Sequence, residues 1–269
     1  MPEKHLICLD LDGTLLTDKK TISDRTKTVI SKAMEAGHKV IISTGRPYRS
    51  SEMYYKELNL NTPIVNFNGA FIHHPLDSKW GLYHSPLDID VAKEIVDACQ
   101  KYTIHNIVAE VMDEVYFHYH SEKLMDIFSL GNPDITTGDL RDYLTDSPTS
   151  LLIHAEESHV SEIREHLSTV HADLIDHRRW AAPWHVIEIV RNGIHKAVGV
   201  KKIAEYFNIP QQRIIAFGDE DNDLEMIEYA GIGVAMGNAI DNLKNIANEI
   251  TLSNEDEGIA AFLEDRLNL

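Results

Sequence analysis

The stretch HLICLDLDGTLLT, residues 5–17, runs an apolar segment directly into two carboxylates, Asp10 and Asp12, and then into Gly13 and Thr14. A short continuous apolar run bounded by turn residues reads as a strand buried on both faces, as in a parallel sheet. Paired negative charge at the end of such a strand needs a positive species to neutralise it.

The neighbouring segments supply the rest of the unit. A helix is predicted over 24–36, with Ser23 as its N-cap, Gly37 past its end and Val29, Ile30, Ala33 and Met34 on one face. KVIIS, 39–43, reads as a second buried strand. Strand–helix–strand is the repeating unit of a parallel sheet covered by helices. The far end repeats it. A helix over about 196–207 leads to the apolar strand RIIAF, 213–217, then a short helix near 222–229 and the strand GIGVAM. A helix near 239–247, a brief strand in EITL and a last helix from about 258 follow.

The middle has a different pattern. Helices near 89–102, 121–129 and 159–170 mix with strands near 106–111, 114–120, 150–155 and 184–190. Met112-Asp113-Glu114 reads as a tight connection between antiparallel neighbours. The fold class expected is α/β, a Rossmann-like parallel core over 1–84 and 191–269 with an inserted α+β cap domain over 85–190. Its hinges fall near Ser85-Pro86 and Arg191-Asn192-Gly193.

Composition narrows the partners. The chain has 269 residues, 43% of them hydrophobic, enough for a sizeable core in one large or two modest domains. A formal net charge of −18 argues against nucleic acid and anionic membranes as partners. No signal peptide or membrane span is legible, and Cys8 and Cys99 read as buried small hydrophobes, so a reducing, cytoplasmic setting is expected. Oligomeric state is not written in the sequence.

In open parallel sheets, ligands bind beyond the carboxyl ends of the strands. Asp10 and Asp12 stand there after the first strand, Thr44-Gly45-Arg46 after the second, and Gly218-Asp219-Glu220-Asp221-Asn222-Asp223 after RIIAF. Lys196 opens a helix just beyond Gly193. Oxygen ligands gathered around a phosphate pocket suit Mg²⁺. A metal held by Asp10 and Asp219 leaves Lys196, the Thr44 hydroxyl and loop N–H groups for a phosphoryl group, with Asp10 to attack phosphorus and Asp12 as proton donor. Taken singly, each cluster is an ordinary acidic turn, strand-to-helix turn or solvated lysine. Four together at the proper strand ends and helix start are not an ordinary coincidence.

DLDGT at 10–14, STGR at 43–46, the lysine of GIHKAVGV at 193–200 and GDEDND at 218–223 resemble the four motifs of the haloacid dehalogenase superfamily. The likeness is closest to its Cof-type phosphatases with a C2B cap, and NFNGAF at 66–71 resembles a core loop of that group. The resemblance implies a Mg²⁺-dependent phosphatase acting on a small phosphate ester through an aspartyl-phosphate. Asp10 would be the nucleophile and Asp12 the general acid/base. Asp10, the Asp12 carbonyl and Asp219 would hold the metal. The Leu11 N–H, Thr44, Gly45, Lys196 and Asn222 would contact phosphate, and Asp223 would orient Lys196 or metal-bound water. Sugar phosphates and phosphorylated cofactor precursors are the substrate classes it implies.

A phosphomutase would use the same aspartates, but many mutases of the superfamily carry a smaller helical cap inserted elsewhere. A non-catalytic sensor of a phosphorylated ligand need not keep both Asp10 and Asp12, and a dehalogenase has no use for Asp12. His118 and His120 alternate along a predicted strand, yet a zinc site would need further ligands that the sequence does not offer. Trp180, Trp184, Arg178 and Arg179 cluster late in the cap, where packing explains them as well as a pocket would.

Overall fold

Leu6–Leu9 is buried along its whole length, which demands a strand on each edge and a layer on each face. The computed structural model, which describes residues 4–179 and 185–269, supplies both. Leu6–Leu9 pairs in parallel with Lys39–Ile42 on one edge and Ile214–Gly218 on the other. Ile232–Ala235 and Glu249–Ile250 continue the sheet beyond Ile214–Gly218, again in parallel. Helices Asp24–Glu35, Lys196–Phe207, Leu224–Tyr229, Asp241–Ile246 and Gly258–Leu267 alternate with these strands.

Local chemistry sets the helix ends. Ser23 Oγ accepts from the Thr26 N–H at 3.1 Å, and the helix it opens buries Thr26, Val29, Ile30 and Ala33. Met34, expected on that face, is only half-buried. The Lys196–Phe207 helix stops at Asn208, whose left-handed backbone (φ 52°) is one that asparagine tolerates. The acidic segment after Gly218 opens with a 3₁₀ turn, Asp221–Asp223, before the α-helix begins at Leu224.

The chain forms two compact units. One comprises Met1–Arg46, Ser51–Tyr83 and His195–Leu269; the other comprises Pro47–Ser50 and His84–Ile194. The second contains a six-stranded sheet in the order Ile175–Arg179, Val186–Arg191, Ser150–Ala155, Ile104–Val111, Glu114–Phe117, Ile135–Thr137. Its pairs are antiparallel except the last. Alternation along the strands sends Ile107, Ala109, Leu151, Ile153, Ile187 and Ile189 into one apolar cluster and Val108, Phe117, Leu152 and Val186 into another. The fold class is therefore α/β, a parallel central sheet with an additional mixed sheet. Cys8 and Cys99 are free and buried. Among the described residues no helix is long and apolar enough to cross a membrane.

The Met112–Asp113 connection is the tight turn expected, with Val111 opposite Glu114. The strand predicted over 114–120 instead ends at Phe117. The Asn106 side chain takes over the pairing there, accepting from the Tyr119 N–H at 3.0 Å and donating to the Tyr119 carbonyl at 2.7 Å. His118 and His120 consequently share no strand face. His118 is buried, its Nδ1 accepting from the Leu140 N–H at 3.1 Å, while His120 is exposed.

The helix expected from 159 begins at Glu157, and the strand expected over 184–190 spans Val186–Arg191. Arg178 lies opposite Glu188 in the sheet, and Arg179 Nη2 lies 3.1 Å from His185 Nδ1. Trp180 and Trp184 lie outside the described residues.

Candidate active site

Leu9, Ile42 and Gly218 end three adjacent parallel strands, so the loops that leave them rise from one edge of the sheet. Asp10 is anchored at the first, its N–H donating to the Phe217 carbonyl at 3.3 Å. Lys196 arrives from the first turn of its helix with no exposed surface. Its Nζ donates to Asp10 Oδ1 at 2.6 Å and to Asp223 Oδ1 at 2.7 Å. The other Asp223 oxygen accepts from the Asp219 N–H at 3.0 Å and the Glu220 N–H at 3.2 Å, fixing the loop that carries Asp219. Thr14 Oγ1 donates to Asp219 Oδ1 at 2.7 Å. Gly13, at φ +76°, faces the same carboxylate so closely that a Cβ would strike it, which explains the glycine.

Asp10, Asp219 and Asp223 each offer an oxygen, and these oxygens lie within 4.8 Å of one another. The group is electrostatically frustrated. Burial lifts the Asp10 carboxyl well above its ordinary range; Lys196 opposes the rise, and Asp223 and Asp219 add to it. Burial and then Asp223 push Asp219 up to about 7, against Thr14 and Lys196. Burial works to neutralise Lys196, but Asp10 and Asp223 outweigh it and hold the ammonium protonated. A single buried cation serves three buried carboxylates, so the site is built for further positive charge. A divalent ion with oxygen preference fits this donor set.

Thr44 is buried, its N–H donating to the Val65 carbonyl at 2.9 Å and its Oγ1 accepting from the Arg46 N–H at 3.1 Å. Asn222 Nδ2 donates to Asn68 Oδ1 at 3.1 Å, and Gly45 abuts the same Asn68 amide. Asn68 thus joins the loop after Ile42 to the loop after Gly218, from a left-handed backbone at φ 52°. Leu11 is buried within the first loop, its carbonyl accepting from Leu16 N–H at 2.9 Å.

Asp12 faces other partners. Arg46 Nε donates to its Oδ2 at 2.6 Å, Arg46 Nη2 to its Oδ1 at 2.7 Å, and Lys20 Nζ to Oδ1 at 2.6 Å. Burial tends to raise this carboxyl, but Arg46 and then Lys20 bring it down to about 2. Asp10, Asp219, Asp223 and Lys196 therefore meet directly, and Thr44, Gly45 and Asn222 meet through Asn68. Lys20 and Asn68 were not among the residues expected from sequence, and Arg46 was named only as part of the Thr44-Gly45-Arg46 cluster, without a role. Arg46 and Asn68 stand inside the quoted STGR and NFNGAF segments, whereas Lys20 carries no sequence signal.

Residues 7–263 match the profile of the haloacid dehalogenase-like hydrolases. The chain belongs to this family. Among similar proteins, the 5-amino-6-(5-phospho-D-ribitylamino)uracil phosphatase YitU of Bacillus subtilis (strain 168) is 59% identical over 98% of each chain. The pyridoxal phosphate phosphatase YbhA of Escherichia coli (strain K12) is 29% identical, also over 98% of each. A haloacid dehalogenase-like hydrolase from Bacteroides thetaiotaomicron superposes with a TM-score of 0.84 at 29% identity, over 98% of this chain and 100% of that one. This haloacid dehalogenase-like hydrolase is a phosphatase, a phosphoric monoester hydrolase acting on small phosphorylated metabolites.

Proposed function

We propose that the chain hydrolyses 5-amino-6-(5-phospho-D-ribitylamino)uracil or a close phosphorylated cofactor precursor, with Mg²⁺, through an aspartyl-phosphate on Asp10. The observation that carries the chemistry is the buried group of Asp10, Asp219 and Asp223 around Lys196. The substrate class rests on the 59% identical relative, matched end to end.

Asp10, Asp219 and the Asp12 carbonyl would hold Mg²⁺, which when bound offsets charge on the phosphoryl oxygens. Lys196, Thr44, Gly45, Asn222 and the Leu11 N–H would position the phosphoryl group, and phosphoryl transfer is largely positioning and charge neutralisation. A carboxylate oxygen of Asp10 forms a bond to phosphorus as the ester P–O bond breaks, and Asp12 gives the departing alkoxide its proton. Asp12 then removes a proton from water, which attacks phosphorus and frees inorganic phosphate and Asp10. Asp223 holds the ammonium of Lys196 throughout. Paired with Arg46 and Lys20, Asp12 is ionised and suited to the second step; the first requires it to leave that pairing with a proton. The unit containing His84–Ile194 would be the cap domain, supplying discrimination among leaving groups.

A panel of phosphate monoesters, compared by kcat/KM in Mg²⁺, tests this reading. The ribitylaminouracil phosphate is expected to lead pyridoxal phosphate and simple sugar phosphates. A sugar phosphate at the head of the ranking would overturn the substrate assignment, and undiminished turnover after thorough chelation would overturn the metal.

A further inference from the structure

Lys20 reaches Asp12 from an unusual backbone. Its φ of 59° lies in the left-handed region, which suits glycine or asparagine and strains a lysine. The turn that imposes it is closed by its own threonines. The Lys20 N–H donates to the Thr17 carbonyl at 2.8 Å, the Thr17 N–H to the Thr21 carbonyl at 3.0 Å, and the Thr21 N–H to Thr17 Oγ1 at 3.3 Å. The ion pair with Asp12 joins side chains 54% and 44% exposed, and a pair so exposed adds little to stability. Stability therefore does not explain a lysine at this position. Placing an ammonium on Asp12 does.

One side chain reaches both of the cations that pair with Asp12. Tyr54 stands in the Tyr48–Glu57 helix and is buried. Its hydroxyl donates to the Lys20 carbonyl at 3.1 Å. The central carbon of the Arg46 guanidinium lies over its ring, 5.5 Å from the centroid and within cation–π range. The Arg46 backbone is fixed separately, its carbonyl accepting from Asn66 Nδ2 at 2.9 Å and from the Phe67 N–H at 3.3 Å. The ring is therefore a support for the guanidinium rather than for the loop. Asp12, Lys20, Arg46 and Tyr54 all belong to the same compact unit. A phenylalanine would fill the same space but could not hold the Lys20 carbonyl.

We propose that Tyr54 is a positioning residue for Asp12: its hydroxyl seats Lys20, its ring seats the Arg46 guanidinium, and the two cations together fix the Asp12 carboxylate where it takes a proton from the attacking water. The proposal rests on the reading of Asp12 as the general acid/base. Tyr54 acts through the cations and enters neither chemical step.

The test compares Tyr54→Leu and Tyr54→Phe with the parent, in the full chain. Two readouts are taken. Solvent exchange of the Arg46 Nε–H proton, which lies on Asp12 Oδ2 in the 2.6 Å contact, is followed by NMR without substrate or metal. Rapid-quench kinetics with p-nitrophenyl phosphate in Mg²⁺ then separates two steps. First-turnover release of p-nitrophenol reports phosphoenzyme formation, whose leaving group needs little protonation, and release of phosphate reports hydrolysis, which needs a base. Exchange of the Arg46 proton is expected to quicken at least tenfold in Tyr54→Leu while the amides of Leu6–Leu9 and Ile214–Gly218 keep their protection. A misplacement of about 1 Å can cost about 10²-fold, so hydrolysis is expected to slow about 10- to 100-fold in Tyr54→Leu and about threefold in Tyr54→Phe. Phosphoenzyme formation should stay within twofold of the parent in both. Unchanged Arg46 exchange in Tyr54→Leu, or equal slowing of the two steps, would overturn the proposal. Should Tyr54→Leu not fold, Tyr54→Phe decides alone: a loss confined to hydrolysis supports the proposal, and parental hydrolysis overturns it. A parent that hydrolyses no phosphate ester would refute the phosphatase reading, and the Arg46 exchange would still decide whether Tyr54 seats the guanidinium.

Discussion

Replacing Lys196 by Met tests whether one ammonium holds the acidic group together. The side chain has no exposed surface and contributes its only charge to Asp10 at 2.6 Å and Asp223 at 2.7 Å. Methionine preserves most of the volume, so the loss is chiefly electrostatic. Breaking a buried ion pair by removing one partner typically costs about 3–5 kcal/mol, because the remaining charge stays buried. At roughly 2–4 °C per kcal/mol for a chain of this size, the melting temperature should fall by about 10 °C. The loss should also depend on pH. Burial already raises the Asp10 carboxyl, and the variant lacks the cation that opposed the rise. Its folded state then binds a proton that the unfolded chain, near the ordinary carboxylate value, gives up. Stability of the variant relative to the parent therefore falls as pH rises, by up to about 1.4 kcal/mol per unit for each such proton. Urea unfolding of the metal-free proteins, followed by circular dichroism at pH 5.5 and pH 8, measures both effects. A deficit below about 1 kcal/mol at pH 8, or one identical at the two pH values, would refute the account of the site as a cation-starved carboxylate group.

The remaining predictions concern the same loops. Asp219, raised to about 7, favours the folded metal-free protein at lower pH, so its stability should decline as pH climbs from about 4 through 7; Mg²⁺ should raise the melting temperature more at pH 8 than at pH 6, and a shift independent of pH would contradict this. Gly13→Ala should thrust the Asp219 carboxylate aside and weaken Mg²⁺ binding at least tenfold by calorimetry, whereas parental affinity would mean that Asp219 is not a ligand. Asp12→Asn should slow turnover of an alkyl phosphate about 10²–10⁴-fold while retaining metal. With p-nitrophenyl phosphate it should give a burst and a phosphoenzyme on Asp10, and mass spectrometry placing phosphate on another residue would refute the assignment.

The parallel core was legible because its strands are short, apolar on both faces and punctuated by polar loops: Leu6–Leu9, Lys39–Ile42 and Ile214–Gly218 each announce themselves. The six-stranded sheet was only partly legible. Ile135–Thr137 and Ile175–Arg179 are half-exposed and mixed in polarity, so neither carries the alternation that marks a strand. The helix Tyr48–Glu57, too, was missed, since its tyrosines and serines give a weak apolar stripe. Within the site, the carboxylates and Lys196 could be named because each follows a strand or opens a helix. The Asp12–Arg46–Lys20 contact could not, because the direction in which a half-exposed carboxylate turns depends on tertiary neighbours. The role of Asn68 is not legible for a related reason, as an amide joining two loops has no periodicity to betray it.

The split between the two aspartates follows from where their countercharges come from. Asp10 shares Lys196 with Asp223 in a fully buried setting, close to Asp219. Three carboxylates against one ammonium leave a local deficit of two positive charges, which matches a divalent cation rather than a second lysine. Asp12 lies two residues further along the chain, yet it is matched by Arg46 and Lys20 and its side chain is 44% exposed. Its partners are Lys20, 54% exposed, and Arg46, 20% exposed, which belongs to the same loop as Thr44. A carboxylate proposed to give up and regain a proton within each cycle is better served by partly exposed partners than by a fully buried lysine. The spacing Asp-x-Asp thus places one carboxylate in a fixed field and its neighbour in an adjustable one, and the two roles proposed for them divide along that line.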